Sequence, residues 1–297
     1  MTPQEQLEQE QAERSARASV VAATGHATPT PPAELLTLHR DDLDGVLAST
    51  RELEGQSKNT ILLGPPGTGK TTSAVRSAAP GQEVIVVTMH AEGTAVEFTG
   101  HKEIQGGKTV YWEGLGVQAW RKGALLVINE IDNASEDILN HMYQLLDDDK
   151  IASIQLPDGE VVRPAPGFRV IATTNGRPED LPEAIRDRFG MWLVYAEPSK
   201  EMYARLDPDV EEVLRDVYAA TAKATTARDR IPYVTYRQAE TFCDLRRTGI
   251  MRDPMHIAQM VLHGDGTAAQ RFVSSLETAG AAARTTAPAS ELITRSL

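Results

Sequence analysis

Eight residues, Gly64-Pro65-Pro66-Gly67-Thr68-Gly69-Lys70-Thr71, set the chemistry of this chain. Their types and spacing match G-x-x-x-x-G-K-[ST], the loop that wraps phosphate groups. Glycines let backbone N–H groups approach phosphate oxygens with no Cβ in the way. A helix beginning there adds partial positive charge at the same place. In that arrangement Lys70 reaches the β- and γ-phosphates of a nucleotide, and the Thr71 hydroxyl ligates Mg2+. Thr72 completes the stretch expected to bind nucleotide.

A second constellation follows the apolar run Ala124-Leu125-Leu126-Val127-Ile128 and reads Asn129-Glu130-Ile131-Asp132. A buried strand ending in acids is the pattern of a Walker B motif. Its first acid holds a water of the Mg2+ shell, and its second, a Glu, polarises the attacking water. Glu130 fits the second role. The first position is Asn129, an amide that can hydrogen-bond a metal-bound water but brings no negative charge. Taking Asp132 as the metal acid instead would push Asn129 and Glu130 into the strand, so the Asn129 register is preferred.

These residues need a frame. Thr60-Ile61-Leu62-Leu63 reads as a buried strand before the loop, and Thr72–Ala79 as a helix stopped by Pro80-Gly81. Further buried strands are expected at Glu83–His90, Ala124–Ile128, Phe168–Asn175 and Met191–Tyr195. Lys108–Trp112 alternates like an exposed strand, whereas 91–107 has no strong period. Helices are expected at Gly114–Lys122 and Ser135–Asp149, and a hairpin over 151–162 with Asp158-Gly159 at its turn. Five apolar strands so separated predict an α/β fold, a five-stranded parallel sheet with helices on both faces. From Glu197 the pattern becomes all-helical, with helices at Pro208–Thr225, Thr235–Thr248, Pro254–Leu262 and Thr267–Thr278. The expected division is a disordered or helical tail over 1–33, the α/β core over 34–196, a small helical lid over 197–278 and a flexible tail over 279–297.

Composition narrows the function. The chain has 297 residues, 41% of them hydrophobic, with net charge −12 and a pI of about 5.1. Such acidity speaks against sequence-independent binding of nucleic acid. No apolar run approaches the roughly 20 residues a membrane helix needs, and no basic region precedes an apolar one at the N-terminus. A cytoplasmic protein is expected. The single cysteine, Cys243, excludes a disulfide framework within the chain.

Several motifs in order carry a resemblance. They are the phosphate loop, the strand ending Asn129-Glu130, the strand ending Thr174-Asn175, and Leu181-Pro182-Glu183-Ala184 through Asp187-Arg188-Phe189. With them the chain resembles an AAA+ ATPase over roughly 55–262, closest to the MoxR-like and dynein-related branch. Gly114–Ala119, Asn129–Ala134 in the place of that branch's D-E-I-N-R-A stretch, and the 151–162 hairpin support the branch. The resemblance implies ATP and Mg2+ as cofactors. It implies that Asn175 is the sensor 1 residue and that Arg188 is a finger reaching the γ-phosphate of a neighbouring subunit, with Arg186 as fallback. Arg237 becomes sensor 2. The segment 98–113 becomes an insert facing a central pore, with Phe98, Tyr111 and Trp112 as candidate pore residues. A homo-oligomeric ring, a hexamer, that remodels a protein partner is the implied activity, and the family often works with a von Willebrand factor A-domain protein. Asn129 departs from the family's Asp, which bears on hydrolysis rate and not on ATP binding. Two alternatives follow: an ATP-gated scaffold with little hydrolysis, and a nucleic-acid motor or helicase loader of the same fold.

Overall fold

Five strands pair in parallel in the order β2-β5-β8-β1-β9, where β1 is Thr60–Leu63, β2 Val84–Thr88, β5 Leu125–Asn129, β8 Arg169–Thr174 and β9 Met191–Val194. This computed structural model describes residues 40–156, 159–223 and 231–286, with backbone alone for Asp41 and 281–286. The described residues belong to one compact unit. The expectations for the tail over 1–33, the Pro157-Asp158 half of the hairpin turn and the end of the chain from 287 fall outside them.

The central strands β1, β5 and β8 read as near-continuous apolar runs because both faces are covered. Successive side chains point to opposite faces. Ile61, Leu126, Ile128, Val170 and Ala172 thus join one core with Trp120 and Phe168. Leu62, Leu125, Val127, Ile171 and Leu193 join another with Leu43 and Leu47 of the helix Arg40–Ser49. The parallel register sets Leu63 beside Thr174 and Thr88 beside Asn129. The polar residues that end the strands therefore gather at one edge, the carboxyl edge where open α/β sheets bind ligands.

Buried Arg169 anchors the opposite end. Its guanidinium donates to Thr50 Oγ1 at 2.7 Å, to Ser77 Oγ at 3.0 Å and to the Ser77 carbonyl. Ser77 closes the helix Lys70–Arg76, so a cation sits where helix carbonyls are left over. Burial, helped by the charge of Arg51, pulls the Arg169 pKa down to about 10.

The helices from Lys200–Tyr203 to Gly266–Thr286 pack around their own core. Tyr203, Val210, Leu214, Tyr218, Phe242, Cys243 and Phe272 fill it, with Phe242 and Phe272 edge-to-face at 5.1 Å between ring centres. A capping box of Thr235 and Gln238 opens the helix Tyr236–Thr248.

Some elements differ from expectation. Gly100–Gln105 forms an exposed strand, β3, antiparallel to Lys108–Glu113, β4. No apolar period marks β3, because the hairpin is held by its ladder and by Gly106-Gly107, both at positive φ (59° and 78°), as a tight hairpin turn demands. The last helix runs to Thr286 where fraying was expected from 279, through a run rich in alanine, the best helix former. The helix expected over Ser135–Asp149 stops at Leu145. Ile154–Gln155 (β6) and Val161–Val162 (β7) pair antiparallel. Among the described residues no helix is long and apolar enough to cross a membrane.

Candidate nucleotide site

The loop 64–69 leaves β1 and delivers Lys70 to the start of its helix. Gly64, at φ 151°, passes so close to the Tyr195 carbonyl that a Cβ would collide with it. Gly67, at φ 83°, leaves only 3.0 Å between a would-be Cβ and the Tyr218 hydroxyl. Space, as well as backbone conformation, thus demands glycine at both positions.

Lys70 is buried. Its ammonium donates to the Gly64 carbonyl at 2.6 Å, the Pro65 carbonyl at 2.9 Å and Asn175 Oδ1 at 2.9 Å. Burial lowers its pKa to about 8, and the negative charges of Asp132 and then Glu130 pull the other way. Thr71, the next residue of the helix, faces β5, where its hydroxyl donates to Asn129 Oδ1 at 2.8 Å. Thr173 Oγ1 supports the same oxygen at 3.4 Å and accepts from the Glu130 N–H at 3.3 Å. Glu130 sits at φ 54°, a left-handed turn that ends the strand, and its carboxylate accepts from Asn133 Nδ2 at 3.1 Å. Lys70, Thr71, Asn129, Glu130 and Asn175 therefore stand together at the carboxyl edge of β1, β5 and β8.

This donor set suits Mg2+. The ion takes oxygen ligands, keeps several waters and is bound through few protein groups plus substrate phosphates. Thr71 Oγ1 and Asn129 Oδ1 are adjacent oxygens of that kind. Among the described residues no group of three or more His, Cys, Asp or Glu is placed to hold a metal. A metal here would rely on the hydroxyl, the amide and a bound phosphate group.

The helical segment reaches the loop directly, through residues that the sequence did not single out. The Tyr218 hydroxyl donates to the Pro66 carbonyl at 2.8 Å and accepts from the Tyr236 N–H at 3.2 Å. Burial pushes the Tyr218 hydroxyl up to about pKa 12, so it stays a donor. No spacing rule connects residues 152 positions apart.

The arginines lie elsewhere. Arg188 Nε donates to Asp147 Oδ1 at 2.8 Å, and its guanidinium stands 5.0 Å from the centre of the Tyr143 ring. Arg186 forms no ion pair among the described residues, and its Nε is buried without a partner. Arg237 follows Tyr236 on the first turn of its helix. Its exposed side chain lines a shallow groove of about 290 Å³ with Thr241, Leu245, Met260 and His263. Phe98 corrects an expectation: it is wholly buried in the sheet core and cannot face a pore. Tyr111 is half-buried and donates to the Thr99 carbonyl, whereas Trp112 is exposed.

Comparison with known proteins marks the same segment. Residues 59–189 match the AAA domain (dynein-related subfamily). NorQ of Paracoccus denitrificans is 31% identical over 148 residues, 48% of this chain and 54% of NorQ. Midasin of Dictyostelium discoideum is 33% identical over 150 residues, 47% of this chain and 2% of Midasin. The RuvB Holliday junction branch migration motor of Thermotoga maritima aligns with a TM-score of 0.43 and 17% identity, over 80% of this chain and 69% of that one. The match spans about half the length of NorQ and a small fraction of Midasin.

Proposed function

Residues 59–189 form an AAA domain of the dynein-related subfamily, MoxR-like in its motifs, and on that premise we propose that the chain is a Mg2+-dependent ATPase. The supporting observation is one crevice in which Lys70 meets Asn175 while Thr71 meets Asn129. In this reading the backbone of 64–69 and the Lys70 ammonium hold the phosphates. Thr71 ligates Mg2+ directly and Asn129 does so through water. The ion, when bound, neutralises phosphate charge. Glu130, steadied by Asn133, orients the attacking water, and Asn175 helps to place it.

The reading extends to assembly. The α/β part over 34–196 is the ATPase core and 197–278 is its lid. Subunits form a ring, a hexamer, in which Arg188 completes the neighbour's site, and the ring remodels a protein partner of the von Willebrand factor A-domain kind. A net charge of −12 supports a protein partner over a nucleic acid.

Lys70→Ala is expected to weaken Mg-ATP binding by about 2–3 kcal/mol, on the order of 10²-fold in Kd, as for a lost charged donor. Calorimetric titration of both proteins checks this, and equal affinities overturn the reading.

A further inference from the structure

We propose that Asp132 supplies the negative charge that the end of β5 lacks at Asn129, acting as a positioning residue for Lys70 and the Mg2+ ion; this rests on the ATPase reading above. The left-handed turn at Glu130 (φ 54°) and the short 3-10 turn Ile131–Asn133 fold the chain back as soon as β5 ends. Asp132 is thereby carried over the end of β8. Its Oδ2 lies 3.2 Å from where a Cβ on Gly176 would be, next to Asn175, the residue that holds Lys70.

Three observations separate Asp132 from an ordinary surface acid. It accepts no hydrogen bond among the described residues, and its Oδ1 is buried without a partner. An acid kept for structure would cap a helix or bridge a cation, since an unpaired buried carboxylate oxygen is destabilising. The neighbouring acid is already engaged: Asp180 Oδ2 accepts from the Arg177 N–H at 2.6 Å. The residue Asp132 packs beside, Gly176, directly follows Asn175, whose Oδ1 accepts from the buried Lys70 ammonium at 2.9 Å.

The consequence follows from charge. The oxygen pair of Thr71 and Asn129 offers Mg2+ no formal negative charge. A carboxylate in a half-dry site acts over several ångströms, because the local dielectric is well below that of water. Asp132 therefore raises affinity for the cation without ligating it and opposes metal-free ATP.

The test uses the full chain and four proteins: wild type, Asp132→Asn, Asn129→Asp, and the double variant. ATP binding is measured by calorimetry without Mg2+ and across a Mg2+ titration. Asp132→Asn is expected to raise the Mg2+ midpoint about five-fold or more while leaving metal-free ATP binding unchanged or tighter. The double variant, with the charge moved to position 129, is expected to restore the midpoint. An unchanged midpoint in Asp132→Asn, equal weakening with and without metal, or no restoration in the double variant overturns the proposal. Should Asp132→Asn fail to fold, Asp132→Ser takes its place in the same titrations with the same expected and overturning outcomes. Wild type that binds no ATP overturns the ATPase reading and this proposal together, whereas wild-type binding with a flat Asp132→Asn response overturns this proposal only.

Discussion

Lys70 has its three ammonium hydrogens engaged by protein acceptors, so a phosphate must compete with Gly64, Pro65 and Asn175 for them. Its pKa of about 8 gives the competition a pH dependence. Phosphate favours the charged ammonium, so above about pH 8 nucleotide binding should draw in a proton, and affinity should fall as pH rises. Calorimetry at about pH 8.5 in buffers of different ionisation heat should show fractional proton uptake that Lys70→Arg abolishes. The sign for folding is opposite. The folded pKa lies below the ordinary lysine value of 10.5, so the unfolded chain binds more protons between about 8 and 10.5, and Lys70 adds stability as pH rises through that window. At this scale the sequence showed which residue types end β1, β5 and β8, because motif spacing fixes strand ends. It did not show where Asp132 turns, since a positive φ at Glu130 leaves no mark on a non-glycine residue.

Between elements, the helical segment is tied to the loop by one hydroxyl. Tyr218→Phe would leave the Pro66 carbonyl and the Tyr236 N–H unpaired. A loss of about 1–3 kcal/mol in urea unfolding is expected. Tyr203 is the internal control: its hydroxyl is buried with no hydrogen-bond partner, so Tyr203→Phe should be neutral or stabilising. If both substitutions cost the same, packing and not hydrogen bonding sets these tyrosines. The five sheet strands were legible because both of the sheet's faces are buried, which gives apolar runs. β3 was not, because every residue after Gly100 is exposed and nothing selects an apolar pattern. The Tyr218 contact was not, because it depends on how two separately packed cores meet.

In the proposed ring, Arg188 would choose between its own chain and a neighbour. Its ion pair with Asp147 is partly exposed, and pairs of that kind contribute about 0–1 kcal/mol. A finger that contributes on the order of 10³-fold or more in rate outweighs it, so exchanging Asp147 for a phosphate is affordable. Arg188→Ala should keep ATP binding and lose most hydrolysis, and mixing it with Glu130→Gln should restore part of the rate. If Arg186→Ala behaves this way and Arg188→Ala does not, the role passes to Arg186. The cysteine described in the helical core has a further use, as a clock. Cys243 is the chain's one thiol, it is fully buried, and burial pushes its pKa up to about 11. A thiol reagent at about pH 8 can react only when that core opens, so the labelling rate reports an opening free energy for this segment alone. Mg-ATP should lengthen the labelling half-life in wild type and should do so less in Tyr218→Phe. The time a single sulfur stays hidden would then tell whether nucleotide at the loop is felt inside the helices.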